Sequence, residues 1–129
     1  MTDATDSSRI VVDSAGWVEY LGEGPKADAF EAYLRRQNEL IVPAIVVYEV
    51  YKKLMAYGGE TTANCFLSAA SRAEIADFDA LAAIAAAQVS LAHRLAMADA
   101  IVYATAQNSG AELVTSDRHF EGLPGVTLV

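Results

Sequence analysis

At 129 residues, with 53% hydrophobic and 20% charged residues and a mean hydropathy of +0.23, the chain has the size of one domain and ample apolar surface for a core, which excludes a largely disordered polypeptide. Nine Lys and Arg against 17 Asp and Glu give a net charge of −8 and a pI near 4.5, which excludes a large nucleic-acid surface acting through bulk electrostatics. The apolar run Ala80–Ala87 falls far short of the roughly 18 residues of a spanning helix, the polar start Met1–Arg9 lacks a secretory pattern, and the single Cys65 offers neither a disulfide nor a thiolate zinc site, so a cytoplasmic protein with no membrane partner is expected.

In chain order, the first eight residues are expected to fray, and a domain then fills 9–129. A short β-branched strand is predicted over 9–12, followed by a helix from Ser14 to about Leu21. Gly22 and Gly24 punctuate the chain, and Pro25 suits the first turn of a second helix reaching Gln37. A strand over 39–42 leads into a long helix from about Pro43 to Tyr57, which Gly58-Gly59 stops. A helix over about 61–72 and a weak strand Glu74–Ala76 follow. Helices over about 79–95 and 98–109 come next; the 25 alanines cluster here and favour helix. Gly110 ends the last of these, and a strand over 112–116, a short helical turn around His119 and a strand over 126–129 close the chain. Short apolar strands separated by helices predict a parallel sheet of four or five strands covered on both faces, an α/β fold.

Ligands in such sheets bind beyond the carboxyl ends of the strands. The first strand ends in Val12-Asp13-Ser14 and the penultimate one in Thr115-Ser116-Asp117, so two carboxylates leave the sheet at one edge. Asp99 starts the helix that runs back antiparallel to strand 112–116, which makes it a neighbour of Asp117. Taken singly, each of these is explained by ordinary helix capping. Glu49 is different, because its neighbours in Ile45–Tyr51 are almost all apolar; an ion pair with Lys52 or Lys53, three and four residues on, is its ordinary explanation. Converging together, these four carboxylates would repel one another unless a divalent cation neutralised them, and hard oxygen ligands select Mg²⁺ or Mn²⁺. Such a centre suits in-line phosphodiester hydrolysis. His93 and His119 have no Ser or Cys partner in a nucleophile motif and are read as structural.

The segments Val11–Leu21, Met97-Ala-Asp99-Ala-Ile-Val-Tyr-Ala-Thr-Ala106 and Ala111-Glu-Leu-Val-Thr115-Ser-Asp117-Arg-His-Phe120 resemble PIN-domain ribonucleases, in particular VapC-type toxins of bacterial toxin–antitoxin pairs. The Asp99-to-Asp117 spacing, Gly110 before the strand and Phe120 three residues past Asp117 carry the resemblance most specifically; Leu91–Asp99 is shorter than in many relatives. The resemblance implies a PIN-like three-layer α/β/α fold and a metal-dependent endoribonuclease using Mg²⁺ or Mn²⁺. It maps Asp13, Glu49, Asp99 and Asp117 onto the family's acidic site, with Asp13 and Asp99 as direct metal ligands and Ser14 and Thr115 as supporting hydroxyls. It further implies an RNA substrate, a cognate antitoxin and a homodimer. Candidate RNA contacts are Lys52, Lys53, Arg94 and Arg118, since affinity cannot come from net charge. Trp17, Tyr20, Leu21, Phe30, Tyr33 and Leu34 are candidates for an antitoxin groove, with core packing as the ordinary alternative. A receiver-type phosphoacceptor is disfavoured because Asp13 is followed by Ser14 and Ala15 and the last strand has no Lys; a haloacid-dehalogenase-type phosphatase would need Asp at position 15. A catalytically inactive binding module is disfavoured because four clustered acids are costly to keep without a metal.

Overall fold

The computed structural model describes residues 9–129; the first eight, expected to fray, lie outside the described residues. Five short parallel strands alternate with six helices: β1 (Ile10–Val12), α1 (Ser14–Leu21), α2 (Ala27–Leu34), β2 (Ile41–Pro43), α3 (Ala44–Tyr57), α4 (Gly59–Ser71), β3 (Glu74–Ala76), α5 (Ala80–His93), α6 (Met97–Asn108), β4 (Glu112–Thr115) and β5 (Val126–Leu128). β4 lies between β1 and β5, with Val11 opposite Leu113 and Val114 opposite Thr127. β2 pairs with β3, and a parallel bridge from Ile10 to Leu40 joins the two groups into one surface ordered β3-β2-β1-β4-β5. This is the expected three-layer α/β/α arrangement with five strands.

The strands β1 and β2 are wholly apolar because the central strands are covered on both faces. All of Ile10–Val12 and Ile41–Pro43 are buried, whereas the edge strand β3 exposes Glu74 and Ile75. Above the sheet, Trp17 on α1 meets Phe66 on α4 edge to face at 5.1 Å, and Phe30 and Phe120 are fully buried. Gly16 permits this packing: a β-carbon there would lie 2.6 Å from Val12 Cγ1 and 2.7 Å from the Phe30 ring, inside van der Waals contact. Among the described residues, no single helix is long and apolar enough to cross a membrane.

Several boundaries differ from the sequence reading. α2 starts at Ala27 rather than at Pro25 and stops at Leu34, and residues 37–39 instead form a 3-10 turn closed by the Arg36–Glu39 ion pair. Gly58 caps α3, yet α4 begins at the next residue, because Gly59 adopts φ +84° and turns the chain in one step. α5 ends at His93, where Arg94 takes a left-handed conformation at φ 58° and redirects the chain into α6.

The proposed groove on α1 and α2 is corrected at three positions. Trp17, Phe30 and Leu34 are core residues, 2%, 0% and 6% exposed. Phe30 and Leu34 lie one turn apart on the buried side of α2, and α1 packs against both α2 and α3, so these side chains are consumed by packing. Tyr20, Leu21 and Tyr33 are half-buried against the same core.

Candidate active site

The acids arrive at the carboxyl edge of the sheet from three elements. Asp13 follows β1 and caps α1, its Oδ1 accepting from the Gly16 amide at 3.0 Å. Its Oδ2 accepts from the Thr115 hydroxyl at the end of β4, at 2.5 Å. Thr115 Oγ1 in turn accepts from the Asp117 amide at 2.9 Å, so one buried hydroxyl ties the ends of the two central strands together. Asp117 then caps the 3-10 turn Arg118–Phe120 by accepting from the His119 amide at 2.9 Å, and buried Phe120 anchors that turn. Asp99 lies in the first turn of α6, behind the uncapped Ala96, where the helix dipole favours a carboxylate.

The electrostatics follow from this convergence. Burial pushes the Asp13 carboxyl above its ordinary value, against the hydrogen bonds from Thr115 and Gly16, and the charges of Asp117 and Asp99 push it further. Asp99 is raised too, first by burial and then by Asp117, with His119 opposing. Two carboxylates whose ionised forms are disfavoured, Asp13 and Asp99, with Asp117 as the charge that acts on both, form a hard-donor set that fits a divalent cation.

Glu49 lines an adjoining cleft of about 430 Å³ together with Ser14, Ala15, Val18, Lys52 and Lys53. Among the described residues neither lysine forms an ion pair with it: Lys52 donates instead to the Tyr48 hydroxyl at 3.2 Å, with Nζ 5.4 Å from that ring's centre. Asp99 and Asp117 are the charges that act on Asp13, and Asp117 acts on Asp99, so the structure brings these three together; Glu49 lies beside them in the cleft that Ser14, next to Asp13, also lines. Ser14 lines this cleft with no side-chain hydrogen bond among the described residues, whereas Thr115 makes the two bonds described above. Arg118 pairs with Glu121 at 3.2 Å, and Arg94 occupies the turn before α6.

His119, read from the sequence as structural, lies against the acids. Its Nδ1 lies 3.1 Å from Asp117 Oδ1 and 4.0 Å from Asp99 Oδ2, within the acidic group, because the short turn after Asp117 folds the ring back over the acids. The Asp-x-His spacing was the available signal. His93 lies edge-on to Tyr103 at 5.6 Å, and Tyr103 in turn stacks on Phe120 with ring centres 6.4 Å apart.

Residues 10–126 match the family described as the PIN domain. Among solved structures, a toxin–antitoxin complex from Klebsiella pneumoniae superposes with a TM-score of 0.78 at 25% identity, covering 92% of this chain and 95% of that one. DNA-bound VapBC from Salmonella typhimurium gives 0.74 at 21% identity, covering 94% and 96%. Mycobacterium tuberculosis VapC20, a toxin that cleaves the sarcin–ricin loop, gives 0.71 at 15% identity, covering 91% and 96%. These last two similarities are of fold. No curated protein matches the chain significantly in sequence.

Proposed function

The chain belongs to the PIN-domain family, and from that premise we propose that it is a cytoplasmic, metal-dependent endoribonuclease acting as the toxin of a toxin–antitoxin pair. The observation that carries this reading is the meeting of Asp13, Asp99 and Asp117 at one sheet edge, where burial and mutual repulsion raise Asp13 and Asp99. Likeness to a solved toxin–antitoxin complex over nearly the whole chain supports the biological setting.

In this reading Asp13 and Asp99 would hold Mg²⁺ or Mn²⁺, with Asp117 and Glu49 completing the set. When bound, such a cation supplies Lewis-acid stabilisation of a phosphodiester's developing charge and a water acidic enough to attack. The chain's own part is preorganisation. Thr115 and the Gly16 amide fix both Asp13 oxygens, so the carboxylate is oriented in advance. Lys52 and Lys53 in the adjoining cleft, together with Arg118 next to Asp117 and Arg94 in the turn before α6, are the proposed contacts for RNA phosphates, supplying locally what a net charge of −8 cannot.

The antitoxin contact moves to α3 and α4. An open, almost wholly apolar groove lined by Val47, Tyr51, Met55 and Leu67 shares Tyr48 and Lys52 with the Glu49 cleft, so an apolar antitoxin segment seated there would run directly onto the site. The homodimer is assigned to α5. Leu81, Ile84, Gln88 and Leu91 follow 3-4-3 spacing on its exposed face, Leu81 and Leu91 being 78% and 84% exposed, and no charged residue occurs from Ala80 to Ala92. A neutral seam on so acidic a chain lets a second copy pack without like-charge repulsion. Ile84→Lys is expected to turn the dimer into a monomer in light scattering with cleavage chemistry unaffected in kind; an unchanged mass would exclude this face.

The defining test is incubation of total RNA with purified protein in Mg²⁺, Mn²⁺ or EDTA. Cleavage in either metal and none in EDTA is expected; folded protein inactive in both would favour the binding-module reading.

A further inference from the structure

The turn that carries His119 is closed by backbone hydrogen bonds and does not depend on the imidazole ring. The ring is 78% exposed, and the Asp117 oxygen it faces already accepts the His119 backbone amide at 2.9 Å, so the imidazole is not needed to satisfy that carboxylate. The turn nevertheless holds it in place, since the Asp117 cap fixes one end and buried Phe120 the other. The result is a nitrogen donor beside two oxygen donors: ligand atoms of Asp99, Asp117 and His119 all lie within 4.8 Å of one another.

The two separations from the ring nitrogen leave room for a shared ion. In an octahedron with bonds of about 2.1 Å, adjacent ligand atoms are about 3.0 Å apart and opposite ones about 4.2 Å. Nδ1 to Asp117 Oδ1 is 3.1 Å and Nδ1 to Asp99 Oδ2 is 4.0 Å, near the first and second values. Resting on the metal-centre reading above, we propose that His119 is a direct ligand beside Asp99 and Asp117, making a mixed nitrogen–oxygen site that binds a transition-metal dication, with Mn²⁺ as the probe, in preference to Mg²⁺. Imidazole is a borderline donor that first-row transition metals accept readily, whereas Mg²⁺ keeps oxygen ligands and water. Exposure of the ring leaves it free for small adjustments on metal entry without disturbing the core.

The chain has only two histidines, so spectroscopy separates them. Tag-free protein loaded with Mn²⁺ is examined by electron spin-echo envelope modulation, which detects nitrogen bound directly to the ion, alongside Mn²⁺ and Mg²⁺ titrations. Wild type and His93→Gln are expected to give the nitrogen modulation, and His119→Gln to lose it. His119→Gln should weaken Mn²⁺ binding about tenfold, the low end of what disturbed metal ligation costs, and Mg²⁺ binding by less than a factor of about two. Bound Mn²⁺ without nitrogen modulation, or equal losses for both metals, would overturn the ligand assignment while leaving the carboxylate centre intact. Failure of Mn²⁺ to bind, or binding indifferent to Asp99→Asn, would overturn the carboxylate centre and His119 with it.

Discussion

Asp99→Asn is expected to lower metal-dependent RNA cleavage by at least about 10³-fold, the equivalent of the several kcal/mol that metal-centred charge stabilisation provides, while the protein stays folded. Asp99 is the cleaner of the two proposed ligands to remove. Its side chain makes no hydrogen bond among the described residues, its nearest charged partners being His119 at 4.0 Å and the repelling Asp117. Asn keeps the shape and deletes only the charge. Asp13 is harder to interpret, because both its oxygens are in use: Oδ1 caps α1 through Gly16, and Oδ2 takes the buried Thr115 proton. Asn at position 13 would set an amide against that hydroxyl or turn it from the cap, so an equal loss of cleavage would come with a loss of stability of about 1–3 kcal/mol. Single-turnover cleavage with a thermal melt on the same samples distinguishes the two. Asp99→Asn retaining more than about a tenth of wild-type activity would remove Asp99 from the reaction.

Position along the sheet edge was readable from sequence because it follows from topology. Asp13 and Asp117 each come directly after a β-branched run, and a helix antiparallel to the second run must begin at the same edge, so the placing of Asp99 required no knowledge of packing. The aromatic residues of α1 and α2 were not readable in the same way. Six large side chains on two short helices suit either a groove or a core; what decides between them is that α1 lies between α2 and α3, a tertiary fact with no local signature. Glu49 is an intermediate case. Its apolar surroundings in sequence marked it as unusual, yet at 3.6 residues per turn those neighbours surround the helix rather than the carboxylate, and the side chain points into an open cleft beside lysines it does not pair with. The nearness of His119 to the acids was not read from the sequence because histidine was sought with a nucleophile partner, whereas its neighbour is a capping Asp two residues earlier.

Metal-free protein is expected to lose stability as pH rises above the ordinary carboxylate value of 3.8, and a divalent cation to restore it. The folded state raises Asp13 and Asp99, chiefly by burial, so between 3.8 and the raised values the folded chain holds protons that the unfolded chain has released. Stability therefore falls with pH through that window and levels off above it, where both carboxylates are ionised and the full cost of crowding them is present. Other acids on this chain of net charge −8 repel one another as well, so the site is isolated by difference. Without metal, Asp99→Asn should match wild type near pH 4 and melt above it at pH 8, because the variant has lost a burdened charge. With saturating metal the order should reverse: at a hundredfold excess over the dissociation constant, binding adds about 2.7 kcal/mol to wild type, on the order of 10 °C for a domain of this size, and little to the variant. A metal-free variant no more stable than wild type at pH 8 would mean that the three aspartates are not in conflict, and the physical case for a cation between them would fail. The reversal, if observed, identifies a pocket that keeps its carboxylates at the expense of stability, as expected of residues retained for chemistry rather than for the fold.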